Sequence, residues 1–296
     1  MILVTGGSGQ VAQALTAGAG ARSVRVVGRP KFDFDAPDGM IEVLREARPA
    51  LVVNTAAYTS VDQAEDEPEA ADRANHLGPG LIARFCADSG IPLIHLSTDY
   101  VFDGQKGAPY VETDLATPVG AYGASKLAGE QAVLAAGGHA MVLRPSWVYS
   151  AVGKNFVLTM LNAAKKTDTL RVVVDQIGCP TSADDLAATI FAIADHVGTQ
   201  WDARYGGVFH ACGTGATSWH SLAEAVFERA AIHGLTPPTV IPIATADWRA
   251  KVTRPPDSRL DTGKLADVFG VCLPEWRGAV TKVVDAVFAR EAATRR

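Results

Sequence analysis

Tyr122 and Lys126 stand four positions apart in the segment GAYGASKLAGE, which follows a run of turn-forming residues. Side chains four positions apart share one face of a helix. A phenol beside an ammonium can give a proton to an alkoxide, as the reduction of a ketone by hydride transfer requires. We expect Lys126 to lower the pKa of Tyr122 by about three units from about 10, because one ammonium at about 4 Å supplies that free energy. Since this spacing also arises by chance in many helices, other residues must support the interpretation.

Thr98 is the third candidate for the same reaction. It lies in LSTDYVFDG, residues 96–104, directly after the apolar run PLIHL. Parallel α/β sheets bind ligands outside the carboxyl ends of their strands, so the Thr98 hydroxyl is expected at that edge, where it would orient the substrate oxygen. Lys126 would also donate to the ribose hydroxyls of a dinucleotide. The sequence thus predicts a catalytic set of Thr98, Tyr122 and Lys126, although spacing alone does not prove that the three meet.

Gly6, Gly9 and Ala12 follow the first apolar run with the spacing GxxGxxA and lead into a helical segment. Small residues allow a tight turn and a close approach of the backbone to a pyrophosphate, and the helix N-terminus favours its negative charge. Glycine turns also occur without a ligand, but at this position we favour a dinucleotide site. The second apolar run, VRVVG, leads into Arg29 and Lys31 instead of an acid that would bind a ribose 2′-hydroxyl. This pattern favours NADPH, with NADH left open.

The elements that must hold these residues are short apolar runs that alternate with longer helical segments. The runs lack an in–out alternation, which is typical of a parallel sheet buried on both faces. We therefore predict an α/β fold: a doubly wound parallel Rossmann sheet over residues 1–150, with a smaller C-terminal substrate-binding lobe over residues 151–296. The boundary is left open, because RVVV and GVFHAC, both beyond residue 150, can return to the main sheet.

Composition and charge limit the partners. The 296 residues are 48% hydrophobic and 20% charged, as in soluble globular proteins. The net charge of −5 argues against nucleic acid or an anionic membrane as a partner. The four cysteines are scattered without metal-binding spacing, which is typical of reduced thiols in the cytoplasm. No apolar run has the length of a membrane span, and the start on MILVTG leaves no room for a signal segment, so we expect a soluble cytoplasmic protein.

Motifs over nearly the whole chain resemble those of the extended short-chain dehydrogenases/reductases, and among them the dTDP-4-dehydrorhamnose reductase family. They are GGSGQVA, VVNTAAYTSVDQAEDEP, LIHLSTDYVFDG, YGASKLAGE, RPSWVY, NFVLTML, VVDQIGCPT and RPPDSRL. STDYVFDG, SWVY and DQIGCPT are far more specific than the glycine loop or the Tyr–Lys spacing. The resemblance implies NADPH-dependent reduction of the 4-keto group of dTDP-4-dehydro-6-deoxy-L-mannose to dTDP-L-rhamnose. It also implies that Tyr122 is the proton donor, Lys126 its partner and Thr98 the third member.

The resemblance extends the set of expected contacts. With Gly6 and Arg29 from the argument above, the predicted cofactor-binding residues are Gly6, Gly9, Gln10, Val11, Arg29, Asp33, Phe34, Ala56, Ala57, Tyr58, Tyr122 and Lys126. The predicted substrate-binding residues are Thr98, Asp99, Tyr122, Trp147, Asn155 and Arg254. Some members of the family hold a metal through glutamates, one of them in the first helix. Ala14 stands there in this chain, so no metal is predicted.

Some of these assignments have simpler alternatives. Trp147 can equally be a packed core side chain, Asn155 is more typical of a helix N-cap, and loop cations such as Arg254 are more often solvated. The fold also serves nucleotide-sugar dehydratases, epimerases and 4-ketoreductases of other dTDP-deoxysugar pathways. Tyr100 stands where a dehydratase is expected to carry an acid, which disfavours water elimination. A non-catalytic regulatory homologue that binds NADPH is a further alternative function. A homodimer is a separate open alternative for the assembly.

Overall fold

A computed structural model describes residues 1–198, 200–248 and 250–294 of the chain. Its strands are β1 Ile2–Thr5, β2 Val24–Val27, β3 Leu51–Asn54, β4 Leu93–Leu96, β5 Ala140–Arg144, β6 Val148–Tyr149, β7 Thr169–Val173, β8 Ile177–Gly178, β9 Thr181–Ser182, β10 Gly207–His210, β11 Thr217–Ser218 and β12 Thr239–Ile243. Its α-helices are α1 Gln10–Ala17, α2 Pro37–Ala47, α3 Val61–Ala64, α4 Pro68–Asp72, α5 Gly78–Ser89, α6 Ala121–Ala135, α7 Phe156–Ala164, α8 Ala183–Val197, α9 Trp219–Ile232, α10 Gly263–Phe269 and α11 Trp276–Thr294. A π-helical turn at Arg73–Leu77 joins α4 to α5.

Six strands form one parallel sheet in the order β10-β5-β4-β3-β1-β2. β1 lies between β2 and β3, with Ile2 level with both Val24 and Leu51. The chain therefore winds outward from β1 to β2 and then crosses to the other side of β1, which creates the switch point where such sheets bind ligands. The residues of β3 and β4 are all buried, because apolar helix faces cover both sides of the sheet. The predicted doubly wound parallel fold is confirmed.

The second half of the chain contributes to the main sheet. β10 pairs in parallel with β5, with Gly207 opposite Met141 and His210 opposite Arg144. α8 packs beside α1 in the apolar core on one face of this sheet. GVFHAC thus returns to the main sheet, as the sequence allowed, whereas RVVV belongs mainly to β7, which pairs with β12 in a separate ribbon. The domain boundary at residue 150 stays a prediction.

A second apolar core holds the C-terminal lobe together. α9 packs against α7 and α11 through buried side chains such as Leu222 and Val284. α9 begins where the Ser218 hydroxyl accepts a hydrogen bond from the Ser221 N–H at 3.1 Å, which satisfies one of the unpaired amides of the first turn. Trp147, which directly follows the β5 segment, packs at the edge of this core. The lobe therefore stands beside the carboxyl ends of the sheet strands.

Two kinds of feature are absent from the described residues. No helix within 1–198, 200–248 or 250–294 is both long and apolar enough to cross a bilayer. In the same part of the chain, no group of three or more His, Cys, Asp or Glu side chains is arranged so that it could hold a metal ion.

Candidate active site

A cleft of about 1380 Å³ lies at the carboxyl ends of the sheet strands, beside the C-terminal lobe. The predicted residues that line it are Gly6, Gly9, Gln10, Val11, Arg29, Phe34, Ala56, Ala57, Tyr58, Thr98, Asp99, Tyr122, Lys126, Trp147 and Arg254. Two other predicted residues that the structure describes, Asp33 and Asn155, are outside this lining. The cleft thus brings the glycine loop and the catalytic candidates into one space, as a transfer between cofactor and substrate requires.

The glycine loop forms a tight backbone cradle. The N–H groups of Gly6 and Gly7 both donate to Val27 O, at 3.1 and 3.0 Å. Gly6 has a φ of 112°, and a Cβ there would lie 2.3 Å from Thr55 Oγ1. A Cβ on Gly28, which ends the second strand segment, would lie 2.6 Å from Gly7 Cα. Only glycine fits at these contacts, and the space fits a pyrophosphate close to the backbone. Gly28 is not among the predicted residues, although the VVG ending of its strand was a signal.

Gly9 leads into α1 without a side-chain cap, so the first-turn N–H groups of this helix are available to an anion. The side chain of Gln10 is fixed at the cleft, because its Oε1 accepts hydrogen bonds from Ser150 Oγ and Asn155 Nδ2, both at 2.9 Å. Asn155 also caps α7 by accepting from the Leu158 N–H at 3.1 Å. Asn155 is therefore a helix N-cap, the simpler of the two roles expected for it. It also binds Gln10, a contact that the sequence did not reveal.

Arg29, one of the two cations expected near a cofactor 2′-phosphate, lines the cleft and is paired with carboxylates, whereas Lys31 is outside the lining. Arg29 Nε donates to Asp33 at 3.0 Å, and Arg29 Nη2 donates to Asp35 at 3.2 Å. Arg73, from the π-helical turn, donates to the other oxygen of Asp35 at 2.8 Å. Arg73 and Asp35 also line the cleft. They were not predicted from the sequence, because they come from separate segments with no shared motif. Guanidinium groups at this end fit a 2′-phosphate.

The loop after β3, which carries Ala56, Ala57 and Tyr58, is held by a buried amide. Asn75 Oδ1 accepts from the Tyr58 N–H at 2.8 Å, and Asn75 Nδ2 donates to Tyr58 O at 3.0 Å. The same Nδ2 donates to Ser125 Oγ at 3.0 Å, one residue before the candidate lysine. Asn75 therefore ties the predicted cofactor loop to α6.

Two glycines allow α6 to approach its neighbours closely. A Cβ on Gly123 would lie 2.2 Å from Tyr100 O, and a Cβ on Gly129 would lie 1.9 Å from Asn75 O. Because Gly123 has no side chain, the first turn of α6 packs directly against the segment that follows β4. The motif YGASKLAGE therefore contains packing residues as well as candidate catalytic residues.

Thr98, Tyr122 and Lys126 line the same cleft. Lys126 is 1% exposed, and its Nζ donates to Leu96 O at 2.6 Å, two residues before Thr98. The Thr98 hydroxyl accepts from the Tyr100 N–H at 3.2 Å. The ring of Tyr122 lies edge-on to that of Tyr100, with 6.0 Å between the centroids. The fold thus places all three residues along one cleft, and their joint role in catalysis stays a prediction.

The protonation equilibria of this set differ from the expectation. Burial raises the pKa of Tyr122 to about 12, while the nearby Thr98 hydroxyl acts in the opposite direction and the Asp99 carboxylate raises it further. Burial lowers the pKa of Lys126 to about 8, partly offset by the charge of Glu130. The prediction that Lys126 brings the pKa of Tyr122 towards neutrality is wrong for this structure, because both groups lose hydration in the fold.

Asp99, which was predicted to approach the sugar, lines the cleft, and its carboxylate is bound by protein hydroxyls. One oxygen accepts from Ser146 Oγ at 2.9 Å and from Ser258 Oγ at 2.6 Å, and the other accepts from Thr98 Oγ1 at 3.2 Å. Burial raises the pKa of Asp99 to about 6, and these hydrogen bonds oppose the rise. Asp99 is 2% exposed and joins the ends of β4 and β5 to the segment around Ser258. Its contacts make it a support for Thr98.

The lobe side of the cleft carries a pair of stacked indoles. Trp147 has a positive φ of 47°, and its ring stacks on that of Trp219 with centroids 3.5 Å apart. A Cβ on Gly178 would lie 2.4 Å from Trp147, so this glycine makes room for the ring. Gln176 Oε1 accepts from Trp219 Nε1 at 3.2 Å. Trp219 and Gln176 also line the cleft and were missed, because their motifs, SWHS and DQIG, do not reveal which way the side chains face.

Arg254 reaches the cleft from the segment before Ser258, but its charge is paired. Its Nη2 donates to Asp62 of α3 at 3.0 Å. Nearby, Lys251 forms an ion pair with Asp66. These contacts tie the segment around residue 254 to the acidic region after β3.

Known proteins resemble this chain over almost its whole length. The family model described as RmlD substrate binding domain matches residues 1–288. The dTDP-4-dehydrorhamnose reductase of Sinorhizobium fredii is 42% identical over 96% of this chain and 96% of that protein. The crystal structure of dTDP-4-dehydrorhamnose reductase from Bacillus anthracis in complex with NADP has a TM-score of 0.88 at 31% identity, covering 96% of this chain and 98% of that chain. A dTDP-4-dehydrorhamnose reductase structure from Clostridium acetobutylicum has a TM-score of 0.89 at 32% identity, covering 97% and 99%. This chain therefore belongs to the dTDP-4-dehydrorhamnose reductase family.

Proposed function

We propose that this chain reduces the 4-keto group of dTDP-4-dehydro-6-deoxy-L-mannose to give dTDP-L-rhamnose, with NADPH as the reductant. Its membership of the dTDP-4-dehydrorhamnose reductase family supports the reaction, and the relative from Bacillus anthracis in complex with NADP supports the cofactor. The observation that carries the proposal is the one cleft in which a pyrophosphate cradle, Thr98, Tyr122 and Lys126 lie together.

The roles of the catalytic residues follow from their chemistry. NADPH, when bound, supplies the hydride. Tyr122 donates its phenolic proton to the developing alkoxide, and the Thr98 hydroxyl orients that oxygen. An alkoxide is a stronger base than a phenolate, so proton transfer from Tyr122 to the developing alkoxide is downhill even though burial raises the pKa of Tyr122 to about 12. The donor therefore works in the reductive direction without a pKa near neutrality.

Lys126 supports this step by its charge. With a pKa of about 8, its ammonium is mostly protonated at neutral pH. A positive charge in a buried site stabilises the phenolate that proton transfer leaves on Tyr122. Loss of that proton on raising the pH through about 8 removes this stabilisation, so turnover is expected to fall there.

The partners that we propose are the dTDP-sugar and the cofactor, with no nucleic acid and no membrane, in the cytoplasm. The net charge of −5 supports the absence of a nucleic-acid partner. The homodimer stays a prediction.

The test is oxidation of NADPH by purified protein with dTDP-4-dehydrorhamnose, followed by the absorbance of the reduced nicotinamide. Tyr122→Phe is expected to lower kcat by at least about a hundredfold, because it removes the proton donor. Its dissociation constant for NADPH should stay within about twofold of wild type. Tyr205→Phe is the matched control, since Tyr205 stacks on Phe269 outside the cleft.

Equal turnover in wild type and Tyr122→Phe would remove Tyr122 from the mechanism. Formation of a keto sugar from dTDP-glucose without consumption of reduced cofactor would identify a dehydratase instead. NADPH binding without turnover on any of a panel of dTDP-keto sugars would identify the non-catalytic homologue.

A further inference from the structure

Four charged side chains form a compact cluster at one end of the cleft, which we call the adenosine-end cluster: Arg29, Asp33, Asp35 and Arg73. The two guanidinium groups bind different oxygens of the same carboxylate, with Arg29 on one oxygen of Asp35 at 3.2 Å and Arg73 on the other at 2.8 Å. Asp33 holds Arg29 a second time at 3.0 Å. The cluster thus gathers residues from the loop after β2 and from the π-helical turn after α4.

Both arginines are accessible to a ligand. Arg29 and Arg73 line the cleft, and their side chains are 68% and 44% exposed. A guanidinium has five N–H donors in a planar fork, and the contacts with Asp33 and Asp35 use only some of them. The remaining donors suit a phosphate, which accepts two parallel hydrogen bonds from one fork.

Their position suits one particular phosphate. Gly28, which closes the glycine cradle, precedes Arg29 directly, so the cluster continues the cradle beyond the end of β2. In sheets of this kind the end of the second strand meets the adenosine ribose, where NADPH carries a 2′-phosphate and NADH a hydroxyl. A second guanidinium there acts on the one group that distinguishes the two cofactors.

We propose that Arg73 is a second guanidinium for the 2′-phosphate of NADPH, acting with Arg29, and that Asp35 limits the preference for NADPH over NADH. This inference rests on the proposed function only in taking NADPH as the cofactor. Asp35 holds both forks beside the site, but its negative charge also opposes that of the phosphate. The cluster carries two positive and two negative charges, so its net attraction for the phosphate is smaller than that of two unpaired arginines.

A purely structural role for Arg73 makes a different prediction. If Arg73 only joined the loop after β2 to the π-helical turn through Asp35, its removal would loosen the adenosine pocket for both cofactors alike. A role on the 2′-phosphate affects NADPH and leaves NADH nearly unchanged. NADH is therefore the internal control.

The experiment measures dissociation constants for NADPH and NADH by calorimetry, without any sugar. Arg73→Ala is expected to weaken NADPH binding about tenfold and to change NADH binding by less than about twofold, because one charge-assisted contact is lost. Arg73→Lys, which keeps the charge without the fork, should fall between Arg73→Ala and wild type. Asp35→Asn should raise the ratio of NADPH to NADH affinity about threefold.

The matched control is Arg45→Ala, which removes an exposed arginine paired with Glu42 on α2 and should leave both constants unchanged. Added salt should weaken NADPH binding more in wild type than in Arg73→Ala. Equal weakening of both cofactors by Arg73→Ala, or no effect on either, would overturn the inference. Because no sugar is present, failure of the reduction assay leaves this result untouched, and the reverse also holds.

Discussion

The two sides of the cleft use different parts of the polypeptide. On the cofactor side, the N–H groups of Gly6 and Gly7 converge on Val27 O, and α1 begins without a side-chain cap. On the lobe side, the surface is made by side chains, with Trp147 stacked on Trp219. A backbone cradle needs only small residues at fixed spacing, so one short motif specifies it. A surface of side chains needs residues from distant segments, and its shape depends on how those segments pack.

The proposed catalytic residues lie where the two sides meet. Thr98 and Lys126 come from the sheet domain, while Asp99 beneath Thr98 also binds Ser258 of the later segment. The position of Thr98 in the proposed catalytic set therefore depends on how the two sides pack together. Variants on each side should separate cofactor binding from sugar binding, and a variant at the junction should affect neither strongly.

The largest effect is expected from Gly28→Ala on the cofactor side. The new Cβ would lie 2.6 Å from Gly7 Cα and 3.0 Å from Gly7 N, so the loop backbone must move. We expect NADPH and NADH to bind at least about a hundredfold more weakly, as measured by titration. Gly278→Ala is the control, because a Cβ on Gly278 meets nothing within 4 Å. Binding of wild-type strength in Gly28→Ala would show that the cradle adapts.

A smaller effect is expected from Trp219→Ala on the lobe side. The stacked partner of Trp147 is lost, and aromatic pairs contribute about 1 kcal/mol beyond their buried area. We expect the KM for the dTDP-sugar to rise about fivefold while the NADPH dissociation constant stays within about twofold. Trp201→Ala is the control, since Trp201 stacks on His139 outside the cleft and should lower Tm without changing KM. A loss of NADPH binding in Trp219→Ala would end the division between the two sides.

The smallest effect on turnover is expected at the junction, in Asp99→Asn. The amide keeps the shape of the carboxylate, so we expect kcat to fall only about threefold. The pKa of Asp99 is raised from 3.8 to about 6 in the fold, so the native state binds more protons than the unfolded state between these values. The free energy of unfolding of wild type should therefore decrease as the pH rises through this range, by up to about 3 kcal/mol.

Urea unfolding of wild type and Asp99→Asn at about pH 4 and about pH 7 checks the sign. The difference between the two proteins should shift in favour of the variant at the higher pH. A shift in favour of wild type would mean that hydrogen bonds to the Asp99 carboxylate outweigh its burial.

Elements with a local pattern were predictable. The apolar runs VRVVG and PLIHL were expected in the sheet and form β2 at Val24–Val27 and β4 at Leu93–Leu96. The parallel sheet followed from continuous apolar runs, because strands buried on both faces need no alternation. Whether the GVFHAC strand joins the main sheet was not predictable, because an apolar run does not specify its partner strand.

The chemistry of the site was predictable only in part. The types of Thr98, Tyr122 and Lys126 indicated proton transfer, but the direction of the pKa shift of Tyr122 was wrong, because the sequence does not reveal how much hydration is lost. Asp99 next to Thr98 suggested a sugar contact, whereas its partners are the hydroxyls of Ser146 and Ser258.

By itself, the sequence determined the kind of fold, the glycine cradle and the candidates for the reacting groups, because each is encoded by residues close together in the chain. The tertiary structure decided which charges face one another, as in the contact of Arg73 with Asp35 across two segments. It also decided which groups lose water, and therefore their pKa values. Both properties depend on distances through space, which residue spacing along the chain does not specify.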